Sequence, residues 1–297
     1  MGRIVIPIFV LSFCVANSPA QTPEQKKSTI KFVQELQVGD GGFVPAPVDG
    51  RLDQNPKGSL RATTAALRAL KHFGGAASDK KAGEKFVQAC FDAQSGGFSD
   101  QPGGKPDVIS TAIGLMAVAE LKLPMEQYRD PAIKYLAENA KEFEEIRMAA
   151  AGMEAAGKRH PSTQRWAIDL ERKVKNDGSY GAGAAIPRAT ASAVVTILRL
   201  GGAPVAPETI PGILNKGQNK DGGFGKDDSH ESDLETSYRV VRCYHMLKSK
   251  PGDVDGMRKF IAKCRNADGG YGVLPGKPSN VGGTYFASII LHWLNEP

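Results

Sequence analysis

Two kinds of helical pattern alternate along this chain. In Phe86, Val87, Cys90 and Phe91, and again in Met257, Phe260, Ile261 and Cys264, apolar residues recur at helical spacing with charged residues between them. Such spacing lays one apolar stripe along a helix and leaves the other face for water. The second kind runs Thr111-Ala112-Ile113-Gly114-Leu115-Met116-Ala117-Val118, or Thr190-Ala191-Ser192-Ala193-Val194-Val195. It is apolar or small nearly all round, the mark of a helix packed on most sides. A glycine turn joins each amphipathic segment to the apolar one after it.

The turn is a repeat marker. Asp40-Gly41-Gly42-Phe43, Ser95-Gly96-Gly97-Phe98, Asp221-Gly222-Gly223-Phe224 and Asp268-Gly269-Gly270-Tyr271 share one form, and Asp177-Gly178-Ser179-Tyr180 is a variant. Successive markers are 55, 82, 44 and 47 residues apart, and the interval of 82 hides a repeat without a marker in Met125 to Gly157. Six repeats result, at about 28–75, 79–123, 125–158, 161–203, 207–250 and 254–296.

The apolar segments align without gaps. Thr63, Thr111, Thr190, Ser237 and Thr284 each stand ten residues before Phe73, Leu121, Leu200, Leu247 or Leu294. Four residues earlier stand Ser59, Asp107, Ile186, Asp233 and Asn280. Four of these five are good N-caps, whose side-chain oxygen satisfies a free helix N–H, while Pro187 after Ile186 stands at what would be the first helical position, where proline is welcome. Amphipathic helices outside and apolar ones inside predict an all-α fold, an α/α toroid with an inner and an outer ring. An open solenoid would want polar capping repeats, yet the segment Tyr285 to Leu294 is as apolar as the middle ones. All inner helices then begin at one mouth of a central cavity, where their positive ends suit an anion.

The N-terminus has another character. Arg3 precedes the uncharged run Ile4 to Val15, and Ser18-Pro19-Ala20 offers small residues for a cleavage site. Residues 1–20 are therefore expected to be a signal peptide for export, periplasmic or secreted, leaving 21–297 as a single toroid domain. The apolar run is too short to span a bilayer, so no transmembrane segment is expected after cleavage. Cys90, Cys243 and Cys264 remain, an odd number in apolar helical stretches, and read as buried thiols. The net charge of +6 is mild and scattered over 297 residues, which excludes a nucleic-acid footprint. No P-loop, dinucleotide fingerprint or nucleophile elbow is present.

The Asp-Gly-Gly-Phe/Tyr turn followed by the capped inner helix resembles the repeat of protein prenyltransferase β subunits, and more distantly that of squalene-type cyclases. The resemblance covers about residues 28 to 296. It implies an isoprenoid diphosphate or similar amphiphile in the central cavity, a catalytic zinc as cofactor, and a helical partner subunit. The family's zinc is held by aspartate, cysteine and histidine, and those positions fall on Glu235, Ser237 and Gly283, so one ligand type of three persists. The diphosphate grip falls on Arg188, Lys226 and Tyr238; Tyr285 joins them among inner-helix aromatics with Tyr244, Phe286 and Trp293. Class II cyclases protonate an alkene with the middle acid of an Asp-x-Asp-Asp-Thr segment, which Asp233-Leu234-Glu235-Thr236-Ser237 resembles. Glu235 and Asp233 are thus the candidate catalytic residues, and Arg188, Lys226, Tyr238 and Tyr285 the candidate substrate-binding ones. The acidic stretch Asp227, Asp228, His230, Glu231, Asp233, Glu235 also admits a metal or a glycosidase-type carboxylate pair. A non-catalytic toroid binding a lipid or protein, and an exported hydrolase or lyase with an acidic mouth, are the alternative functions.

Overall fold

A computed structural model describes residues 21–47, 56–227 and 231–295. The signal segment read at 1–20, and Asp228 and His230 of the acidic stretch, lie outside them. The described residues form six helix pairs: α1 (Pro23–Gln34) with α2 (Leu60–Phe73), α3 (Lys80–Ala89) with α4 (Val108–Leu121), and α5 (Arg129–Asn139) with α6 (Phe143–Ala156). The series continues with α7 (Gln164–Glu171) and α8 (Ile186–Leu200), α9 (Ile210–Asn215) and α10 (Leu234–Met246), and α11 (Val254–Lys263) and α12 (Val281–Asn295).

The even-numbered helices pack on one another in order, α2 on α4, then α6, α8, α10 and α12, and α12 packs back on α2. That is a closed ring. The residues that make it are small and apolar: Ala66, Ala112, Ala149, Ala191, Val240 and Ala287 are fully buried. Small side chains let neighbouring inner helices approach on two flanks at once, which is why these helices carry little polar surface.

The turn glycines close the outer ring. Gly41, Gly96, Gly178, Gly222 and Gly269 all adopt φ between 78 and 92°, where a side chain is strained. A Cβ at Gly222 would overlap the backbone of Gly256 at the start of α11, and one at Gly269 would overlap Ser28 in α1. Each of these five turns therefore presses on the next outer helix, and the last returns to the first. Thr29 Oγ1 donates to the Gly269 carbonyl at 2.7 Å and Arg265 to Ser28 Oγ at 2.6 Å, sealing that joint.

The aligned hydroxyls fasten each turn to its inner helix. The N–H groups of Phe43, Phe98, Tyr180, Phe224 and Tyr271 donate to Thr63, Thr111, Thr190, Ser237 and Thr284 at 2.9 to 3.1 Å. Ser59, Asp107, Asp233 and Asn280 cap their helices as expected, accepting from Ala62, Ser110, Thr236 and Gly283. Helix α8 differs: it starts at Ile186 itself, with Ala185 as an N-cap lacking any side-chain bond. Pro187 is the second residue, where its missing N–H costs nothing. All three thiols of the described residues, Cys90, Cys243 and Cys264, are buried and free.

Candidate functional site

The axis of the ring is a cavity of about 590 Å³. Its wall follows the helical period of the inner helices, as Arg61, Thr64, Ala65 and Arg68 show on α2, while α8 contributes Arg199 alone. One side is apolar: Ile109, Ile113 and Met116 of α4 face it beside Met148 and Ala151 of α6. The opposite side is aromatic, with Tyr238 of α10 against Tyr285 and Phe286 of α12 at ring-centroid distances of 5.7 and 5.1 Å. Trp293 stacks behind Tyr238 at 5.7 Å. Tyr244 does not join them; its hydroxyl turns outward to Asn215 and the Pro211 carbonyl.

At the mouth, the helix ends meet the chain's own carboxylates. Glu235, the second residue of α10, accepts from Arg239 at 2.8 Å and from Arg188 at 3.1 Å. Glu144, the second residue of α6, accepts twice from Arg239, at 2.8 and 3.2 Å, and pairs with Arg147 at 2.9 Å. Burial would raise both acids, but the arginines outweigh it and hold Glu235 low and Glu144 at about 2. An anion expected at the mouth thus finds that place taken by Glu144 and Glu235.

This arrangement corrects several expectations. Asp233 is a cap: one oxygen accepts Thr236 N–H at 2.7 Å and the other its hydroxyl at 2.8 Å. Its carboxylate does not reach the cavity wall. Lys226 is exposed and outside the cavity wall, and Arg188 acts on Glu235 rather than on the cavity directly. Glu235, Tyr238 and Tyr285 are the candidates that the fold brings to one wall. As an alkene-protonating acid Glu235 is miscast, since two guanidinium groups keep it ionised.

The family's zinc does not fit this donor set. Ser237 is fully buried and its oxygen already holds the Phe224 N–H. At Gly283 even a Cβ would come within 2.6 Å of the Tyr271 carbonyl oxygen, so no imidazole can stand there. Among the described residues no group of three His, Cys, Asp or Glu side chains could hold a metal ion.

Residues outside the sequence expectations carry the inner end of the cavity. Arg68 of α2 lies with its guanidinium 5.0 Å from the Tyr285 ring centroid and 3.3 Å from Glu120. Arg199 of α8 donates to Glu154 at 3.0 Å, and Arg242 of α10 reaches the same oxygen at 2.8 Å. Burial resists ionisation of Tyr238, yet Arg242, Arg68 and Arg199 overrule it and draw its phenol below the ordinary tyrosine range. Burial and its Tyr238 neighbour push Tyr285 up. No spacing within one helix marked this set, since Glu154 and Arg199, 45 residues apart, meet only across the closed ring.

Comparison with known proteins agrees with the ring. The family model "Prenyltransferase alpha-alpha toroid domain" matches residues 3–78, 63–149 and 146–297. The farnesyltransferase β subunit of Pyricularia oryzae is 30% identical over 94 residues, 30% of this chain and 18% of that protein. Its counterpart in Arabidopsis thaliana is 28% identical over 139 residues, 44% of this chain and 29% of that one. The chain thus aligns with less than a third of either relative's length. Candida albicans protein geranylgeranyltransferase-I complexed with GGPP superposes with TM-score 0.68 at 15% identity, covering 91% of each chain. A variant of the type II terpene cyclase MstE from Scytonema, complexed with geranylgeranyl dihydroxybenzoate, gives 0.62 at 10% identity, covering 91% and 95%. Among the described residues no helix is long and apolar enough to cross a membrane. With six helix pairs closed on themselves and a family model matching along nearly its whole length, the chain belongs to the prenyltransferase α/α-toroid family.

Proposed function

We propose that this protein binds an isoprenoid, or an amphiphile of similar shape, in its central cavity. The observation that carries the reading is the divided wall: Ile113, Met116 and Met148 offer a methyl- and thioether-rich surface opposite Tyr238, Tyr285 and Phe286. A flexible unsaturated chain matches both faces, through dispersion on one and π contact on the other. The volume of about 590 Å³ falls in the range of small-ligand sites, roughly 300–1,000 Å³. The two structural relatives named above hold geranylgeranyl compounds, which supports the same class of ligand here.

Zinc-dependent prenylation of a thiol is not part of the proposal, because Ser237 and Gly283 cannot supply its ligands. The related β subunits also raise a helical partner subunit as a proposal for this chain. Export of the mature chain is proposed on the Arg3-led apolar run alone. Titration calorimetry of the purified chain with farnesyl and geranylgeranyl diphosphate, alongside elemental analysis, tests the reading. Micromolar binding without zinc, abolished by Ala151→Trp inside the cavity, is the expected result. Binding that survives Ala151→Trp would place the ligand elsewhere and end the proposal.

A further inference from the structure

The inner end of the cavity concentrates arginine. Arg199 is the fourteenth residue of α8, eleven beyond Arg188, which places it about 16 Å further from the mouth. Its side chain is only 6% exposed, and Nε alone is engaged, by Glu154. Among the described residues neither terminal nitrogen meets an acceptor, and the side chain lines the cavity. Arg68 faces the same space; its Nε lies near Glu120 but is not aligned for a hydrogen bond, and the buried Nε of Arg242 has no acceptor. A guanidinium N–H that opens into a cavity rather than onto a protein acceptor is placed to meet oxygens that a ligand brings.

The floor itself is shared. Arg199 and Glu154 also face a second depression of about 420 Å³, lined by Gly157 and Met246 at the far ends of α6 and α10 and by Arg159 in the loop after α6. The pair therefore divides the cavity from the opposite face of the ring. Around Tyr238, just above this floor, stand Arg68 from α2, Glu120 from α4, Glu154 from α6, Arg199 from α8, Arg242 from its own helix and Tyr285 from α12. The field there favours an anion strongly enough to draw a buried phenol toward ionisation.

We propose that this floor is an anion site, where Arg199 and Arg68, backed by Arg242, take the carboxylate or phosphate head of an amphiphile. The tail then runs back along Ile113 and Met148 toward the mouth. This orientation rests on the binding reading above and reverses the expectation of an anion at the helix N-termini. Charge-assisted bonds from guanidinium to anionic oxygen are the strong kind, and a forked donor suits either head group.

Farnesyl monophosphate, farnesoic acid and farnesol share one chain and differ at the head, so calorimetry at pH 7 with the full chain separates head from tail. At least one of the two anions should bind about tenfold or more tighter than farnesol. That preference should vanish in Arg199→Met and in the more exposed Arg68→Gln, and persist in Arg188→Gln at the mouth. Which anion wins identifies the head group. Equal binding of all three compounds, or loss of the preference in Arg188→Gln alone, overturns the floor site while leaving a binding cavity. No binding of any compound overturns the cavity reading itself. Melting curves confirm that each variant is folded.

Discussion

Ser237 Oγ accepts the backbone N–H of Phe224 at 3.0 Å, the same bond that Thr63 makes to Phe43 twenty residues away. A hydroxyl at the position where the family's resemblance implies a zinc-binding cysteine is thus explained by the turn. Removing it should strand a buried N–H, at a cost of about 1–3 kcal/mol. Ser237→Ala and Thr63→Ala are expected to lower stability in urea by similar amounts, and Ser237→Thr to leave it nearly unchanged. A Ser237→Ala protein of full stability that no longer binds ligand would instead make this hydroxyl a ligand contact.

Restoring the family's metal ligands should fail for a steric reason. Ser237→Cys supplies a thiol, yet Gly283→His must fit a side chain where a Cβ already meets the Tyr271 carbonyl at 2.6 Å. The double variant is expected to melt well below the parent and to carry no stoichiometric zinc. A folded double variant holding one zinc per chain would show that the helix can shift to admit the ring.

Acid should act through His72. Burial, then His292, Arg68 and Lys71, hold its imidazole down at about 4, against 6.5 in the unfolded chain. Because the unfolded state takes up the proton first, stability is present above about pH 6.5 and is lost as pH falls toward 4. Its ring lies 4.7 Å from that of His292, close enough for the second imidazole to oppose protonation of His72. His72→Gln is expected to flatten the fall in melting temperature between pH 6.5 and 4. An unchanged slope would assign it to other groups.

The buried thiols give an alkaline counterpart. Burial is the main cause raising Cys90, Cys243 and Cys264 to about 12 each, so all three remain protonated and inert in the folded protein. An Ellman-type reagent at pH 8 should label none of them until denaturant is added. Since the unfolded thiols ionise near pH 9, their contribution to stability falls as pH rises above that value. Fast labelling of one thiol in the native protein would show local opening at its helix.

The ring was legible because its parts are local. A glycine with positive φ, an aromatic after it, a cap and a hydroxyl ten to twenty residues beyond the aromatic lie within one repeat, as Phe224 and Ser237 show. Tyr238 and Tyr285 could be placed at the cavity for the same reason, being next to aligned hydroxyls. The floor was not legible. Glu154 and Arg199 stand 45 residues apart, near the ends of apolar helices, where charge ordinarily reads as solvated. Closure of the ring turns both inward, and no spacing within either helix encodes that closure. Asp233 misled for the opposite reason: the residue that looks most like a catalytic acid is the ideal cap, and capping uses both its oxygens.

Glu154 offers a quantitative check on the floor. Its one oxygen serves both Arg199 and Arg242, and Arg199 is almost fully buried. Losing one member of a buried pair costs about 3–5 kcal/mol, but the carboxylate is 40% exposed, so about 2 kcal/mol is the reasonable expectation after screening. Glu154→Leu should therefore destabilise far more than Glu138→Leu, whose partner Lys134 is 70% exposed and whose ion pair is worth under about 1 kcal/mol. Adding Arg199→Met to Glu154→Leu should recover most of the loss, because an apolar pair leaves no charge to solvate. If the double variant is as unstable as Glu154→Leu alone, the cost lies in packing at the floor and not in an uncompensated guanidinium.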